Sequence, residues 1–163
     1  MRVYFVRHGK AEEATPGRPD FERGLTDKGL EDARKVAEHL GRAGVRWELV
    51  LTSPLLRAKQ TAAVLAEARL VGEIEEDYGL APGGALSGLL ARLLAQRDRG
   101  GGDLALVGHL PSLVDWAEEL IWGEARSQMI LKPGGVIGIE LPAGGTLRGA
   151  CELFLLVSPK VLA

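Results

Sequence analysis

Short runs of consecutive apolar residues punctuate this chain, and most are followed by a longer stretch in which apolar positions recur every three or four residues. Residues 2–6 (RVYFV) form the first run, β-branched and aromatic, and predict a buried strand. A loop rich in Pro, Gly and charge follows over residues 10–24. Behind Thr26, a residue type that caps helices, Leu30, Ala33, Val36, Ala37 and Leu40 recur at helical spacing until Gly41 and Gly44. ELVLT at 48–52 predicts a second buried strand. Ser53-Pro54 comes directly after it and predicts an N-cap with Pro at the first helical position, the helix running to Arg69.

A polar strand over 72–76, a loop over 77–84 and a leucine-rich helix over 85–97 come next, with Gly100-Gly101-Gly102 as the stop. DLALV at 103–107 predicts another buried strand, and Pro111 opens a helix reaching Trp122. Residues 129–157 predict three strands with turns at Pro133-Gly134-Gly135 and Ala143-Gly144-Gly145. Strands joined by helical crossovers run parallel, with helices on both faces. The expected fold is therefore α/β, a three-layer αβα sandwich on a mostly parallel, mixed sheet, in one domain over residues 1–163.

Composition narrows the function classes. A formal net charge of −2 provides no basic field for nucleic acid or an anionic membrane surface. The first apolar run is too short for a signal peptide, and no segment reaches the roughly 18 apolar residues of a spanning helix. The cytoplasm is the expected location. Cys151 is the single cysteine, so no intrachain disulfide forms. It lacks an Arg six residues later, which excludes a cysteine-phosphatase loop, and reads as a small buried hydrophobe. The absence of Asn and the excess of Arg over Lys point toward a thermophile. The Gly-rich stretches lack the Gly-Lys-Ser/Thr ending of a nucleotide loop. Trp47, Trp116 and Trp122 fit packing, and His39 falls on a polar helix face.

Ligands of open α/β sheets bind beyond the carboxyl ends of the strands. Three predicted strands end there in polar residues: Arg7-His8-Gly9, Thr52-Ser53-Pro54 with Arg57 one turn on, and Gly108-His109. Arg57 stands where the helix dipole disfavours a cation, and a bound anion would reverse that sign. Two arginines and two histidines suit a phosphoryl group and suit a divalent metal badly, because guanidinium charge cannot be removed by deprotonation.

R-H-G at 7–9, L-T-x-x-G at 25–29, S-P-x-x-R-A-x-Q-T-A at 53–62 and G-H at 108–109 together resemble the histidine phosphatase superfamily, phosphoglycerate mutase-like in fold. The small size, Gly-His-Leu-Pro at 108–111 and Leu-Ala-Pro-Gly-Gly at 80–84 are most similar to its SixA-type phosphohistidine phosphatases. The resemblance implies that His8 is the nucleophile and forms a phosphohistidine intermediate. Arg7, Arg57 and His109 would bind the phosphoryl oxygens. Beside them Gly9 is a further candidate contact to substrate, Arg23 either binds substrate or pairs with an acidic residue, and Ser53 is foremost the helix cap and secondly a contact to phosphate. It implies no metal and no organic cofactor. The implied substrate is a phosphorylated protein or, alternatively, a small phosphate ester handled by a phosphomonoesterase or phosphomutase of the same superfamily. A non-catalytic phosphate-binding module and a metal-dependent hydrolase are the remaining alternatives. One departure is Gly79, which stands where many members carry a carboxylate general acid. Glu76 and Asp77 are the nearest candidates to replace it. A missing acid favours a phosphoramidate substrate, whose imidazole leaves without the help an alkoxide needs. The short span between Arg57 and His109 predicts an open site, with Arg18 and Arg23 on the 10–24 loop at its lip.

Overall fold

A computed structural model describes residues 1–162. Six strands form one sheet: β1 (Arg2–Arg7), β2 (Trp47–Thr52), β3 (Val71–Glu76), β4 (Leu104–Gly108), β5 (Val136–Glu140) and β6 (Glu152–Val157), in the spatial order β3-β2-β4-β1-β5-β6. The first four run parallel; β5 pairs antiparallel with β1 and β6 antiparallel with β5. The four α-helices are α1 (Asp27–Arg42), α2 (Leu56–Glu67), α3 (Leu86–Asp98) and α4 (Ser112–Trp122).

Alternation along the inner strands divides the core into two layers, because successive side chains point to opposite faces. Tyr4, Val6, Val50, Ala105 and Val107 pack with Ala33, Val36, Ala37 and Leu40 of α1 and with Ala58, Ala62 and Leu65 of α2. Val3, Phe5, Leu49, Leu51, Leu104 and Leu106 pack on the other face with Leu89 and Leu93 of α3 and Leu113, Trp116 and Leu120 of α4. Right-handed crossovers place the helices so: the chain moves outward from β1 to β3 over one face and returns to β4 and β5 over the other. The three-layer sandwich expected from the sequence is the observed one.

Two local expectations change. Ser53 does not cap α2. It extends β2, its N–H donating to Val107 O at 2.9 Å, and the helix begins only at Leu56, without a side-chain cap. Residues 129–157 hold two strands rather than three, because the segment before β5 is committed elsewhere: the buried carboxylate of Glu118 accepts from the N–H groups of residues 126–129, Leu131 O accepts from Arg7, and Pro133 has no N–H. An N–H used in that way is lost to a sheet ladder.

Candidate active site

Strand register assembles the site. Arg7 is paired with Gly108 in the β1–β4 ladder and Thr52 with Val107 in the β2–β4 ladder. The residues that follow, His8, Ser53 and His109, are thereby brought side by side where three neighbouring strands end. The His8 N–H donates to Gly108 O at 3.1 Å, and the two imidazole rings lie 4.9 Å apart, centroid to centroid.

Each motif has a physical part in this. Gly9 and Gly29 touch backbone to backbone: a Cβ on Gly9 would lie 2.8 Å from Gly29 O, and one on Gly29 would lie 2.1 Å from Lys10 O. Thr26 caps α1 as expected, accepting from the Gly29 N–H at 3.0 Å, and its hydroxyl donates to Lys10 O at 3.2 Å. The L-T-x-x-G segment therefore clamps the loop that carries His8. In the second motif Gln60 accepts from the Leu25 N–H at 2.7 Å. Thr61 accepts from the Gly9 N–H at 3.1 Å while donating to Arg57 O at 2.8 Å. Thr61 thus links the loop that carries His8 to the helix that carries Arg57. Sequence reasoning passed over it, although its place one helical turn after Arg57 was the available signal.

The His8 Nδ1 atom lies 2.7 Å from Gly9 O. A carbonyl only accepts, so Nδ1 carries the proton and Nε2 keeps its lone pair. Burial drives the His8 pKa down to about 4; the Gly9 carbonyl opposes this, and the charges of Arg57, Arg7 and Arg23 add to it. Burial likewise pushes His109 down to about 3, with His8 and Arg57 contributing and Asp20 opposing. Both rings are neutral at pH 7. His109 Nε2 shares a 2.8 Å hydrogen bond with Ser53 Oγ, which also accepts from the Leu55 N–H at 3.3 Å.

Arg7 donates through Nη1 to Leu131 O at 2.8 Å. Arg57, only 3 % exposed, donates to Asp20 O and to Asp20 Oδ2, each at 2.9 Å. Among the described residues, four buried side-chain nitrogens or oxygens lack a hydrogen-bond partner, and three are Arg7 Nε, Arg57 Nε and His109 Nδ1. Buried donors are paired in nearly all proteins, so three orphans in one cluster mark a place built for an acceptor-rich anion.

The lip residues are arranged differently from expectation. Arg18 turns to Glu12 and to Glu22 O, and Arg23 pairs with Asp20 at 2.8 Å while also donating to Glu12 O. Glu76 pairs with Lys59 on the outer strand, and Asp77 holds the Gly79 N–H and Arg92. Neither carboxylate contacts His8, Arg7, Arg57 or His109. The acidic side chain that does reach this cluster is Asp20. No group of three or more His, Cys, Asp or Glu suited to a metal ion occurs among the described residues, and none of their helices is long and apolar enough to cross a membrane.

Residues 3–100 match the histidine phosphatase superfamily (branch 1). The chain belongs to that superfamily. Phosphohistidine phosphatase SixA of Escherichia coli is 34 % identical over 149 residues, covering 91 % of each chain. An uncharacterized protein of Picosynechococcus is 42 % identical over 163 residues, covering 99 % of each. The structure of the protein histidine phosphatase SixA complexed with tungstate superimposes over the full length of both chains, with a TM-score of 0.89 and 28 % identity. Superfamily membership and the SixA likeness support a phosphatase-type mechanism for this chain.

Proposed function

We propose that this histidine phosphatase removes phosphate from phosphohistidine carried by a protein, through a covalent intermediate on His8. The observation that carries the reading is the Nδ1–H bond to Gly9 O, which leaves the Nε2 lone pair free beside three unpartnered cationic or polar nitrogens. Nε2 attacks phosphorus, and the bond from phosphorus to the substrate imidazole, protonated on its other ring nitrogen, breaks to release that ring as neutral imidazole. Arg7, Arg57 and His109 offset charge on the equatorial oxygens. For His109 this selects a tautomer. Ser53 Oγ–H donates to Nε2, so that Nδ1 carries the proton and offers it to phosphate. Water then releases inorganic phosphate from His8.

No carboxylic acid is needed for the first step, because the leaving imidazole is a far weaker base than an alkoxide. That agrees with Gly79 and with Glu76 and Asp77 being engaged elsewhere. The reaction uses no metal, since the guanidinium groups would repel one from the position the phosphoryl group takes.

Phosphoramidate labelled with radioactive phosphorus should leave acid-labile, base-stable phosphate on the wild-type protein, and His8→Ala should carry none. EDTA should leave turnover unchanged. A phosphohistidine peptide should be hydrolysed faster than p-nitrophenyl phosphate or a sugar phosphate. Faster hydrolysis of alkyl phosphate monoesters would overturn the substrate assignment.

A further inference from the structure

Asp20 sits in a short 3-10 turn, Asp20–Glu22, within the 10–24 loop. Its Oδ2 accepts from Arg57 Nη2 at 2.9 Å, its Oδ1 from Arg23 Nε at 3.0 Å, and its carbonyl from Arg57 Nη1 at 2.9 Å. The two partners differ sharply in exposure: the Arg57 side chain is 4 % exposed and that of Asp20 55 %. Asp20 therefore lies on the solvent side of the arginine that binds phosphate, whereas His8 lies at the end of the central strand β1. Asp20 is the acidic side chain bonded to Arg57, so it stands beside a phosphoryl group that Arg57 would hold, on the exposed side of that arginine.

We propose that Asp20 is the proton acceptor for the water that hydrolyses phospho-His8. This rests on the function proposed above and extends it to the second half-reaction. Water enters from the exposed side, in line with the phosphorus–Nε2 bond. Its oxygen bonds to phosphorus, the phosphorus–Nε2 bond breaks, and that electron pair returns to His8 as neutral imidazole with Nδ1–H still on Gly9 O. One water proton passes to the Asp20 carboxylate, inorganic phosphate leaves, and the exposed carboxylate returns the proton to solvent. A carboxylate has about four lone-pair sites, so Asp20 can take this proton while remaining bonded to Arg23. The hydrogen bond from Arg57 holds its carboxyl below the usual range, which keeps it in the proton-accepting form. Arrival of the phosphoryl anion draws Arg57 toward itself and makes Asp20 more basic, as a general base requires.

The test is single-turnover chemistry with labelled phosphoramidate on the wild type, Asp20→Asn and Glu22→Gln, all checked for folding by circular dichroism. Asp20→Asn should label His8 at the wild-type rate, accumulate phosphoenzyme, and lose it about 100-fold more slowly. Glu22→Gln, which removes a charge from the same turn, should match the wild type. Three results would overturn the assignment. Faster labelling and tighter phosphate binding with unchanged turnover would make Asp20 a competing anion. Equal losses in labelling, turnover and phosphate affinity would make it only a support for Arg57. Slow turnover in Glu22→Gln as well would reduce the effect to net charge on the lip. Failure of the wild type itself to label would instead refute the histidine nucleophile.

Discussion

Glu118 and Arg57 are both charged and both almost fully removed from solvent, yet the protein treats them in opposite ways. Glu118 on α4 receives four backbone N–H groups from residues 126–129. Burial by itself would push its carboxyl up, and those donors outweigh that and hold it below the usual range. Arg57 on α2 has two contacts, both to the exposed residue Asp20, and keeps a buried Nε unpartnered beside two more orphaned nitrogens. A charge satisfied on all sides is a structural fastener. A charge left partly unsatisfied, close to others of its kind, is held ready for a ligand, and stability is what such a site gives up.

That contrast breaks most readily at Arg57. Arg57→Met keeps the stem that packs in α2 and removes the guanidinium. Loss of one well-placed donor group to transition-state charge costs about 10²- to 10³-fold in kcat. The melting temperature should hold or rise, because a desolvated cation disappears. Kinetics and thermal melts on the same preparation check both halves. A melt several degrees lower would place Arg57 with Glu118 as a fastener.

Glu118→Ala is the converse. Removing the buried acceptor leaves four part-buried N–H groups without it, with an expected loss of roughly 3 kcal/mol in stability. In a chain of this size that is roughly a 6–12 °C lower melting temperature. Function should fall by far less than in Arg57→Met, and through one route. The anchored segment leads to Leu131, whose carbonyl accepts from Arg7. A loss of labelling as large as that of Arg57→Met, with the melt unmoved, would erase the distinction between the two clusters.

How far this was legible in the sequence follows the same division. The candidate cluster announces itself because parallel strands deliver their carboxyl ends to one place, so Arg7-His8-Gly9 and Gly108-His109 could be assigned together before the register was known. The αβα layering followed from the two periodicities for the same reason. Partners contributed by backbone were not legible. Gly9 O on His8 Nδ1 and Leu131 O on Arg7 involve carbonyls, which every residue has. Ser53 reads in the sequence as a helix cap or a phosphate contact, and the extension of β2 by one residue gives its hydroxyl instead to His109. The first of the three strands expected over 129–157 is absent: the Met129 N–H goes to a carboxylate on α4, distant in sequence, Leu131 O goes to Arg7, and Pro133 has no N–H to give. Asp20 lay in a loop read for its arginines, and its spacing of three residues from Arg23 was the sole hint of pairing.

The smallest effect concerns the protons the two clusters bind. Glu118 holds a charge in place, whereas the site keeps charge off its two histidines. His8 is held at about 4 and His109 at about 3, first by burial and then by neighbouring cations. An unfolded histidine titrates near ~6.5. Below that pH the unfolded chain takes up protons that the folded chain refuses, so stability must fall as pH falls. The contribution of His8 is complete above ~6.5 and is lost as pH drops toward about 4, where the folded ring also protonates. Denaturant melts from pH 7.5 to 4.5 should therefore show a slope that His8→Gln makes shallower by up to about one proton. In nuclear magnetic resonance the His8 ring signals should stay still from pH 8 to 5 in the free protein. Inorganic phosphate should bring their titration into that window, because a bound dianion favours the imidazolium. A midpoint near 6.5 without phosphate would mean that the ring is as solvated as an unfolded histidine, and the orphaned nitrogens around it would lose their meaning.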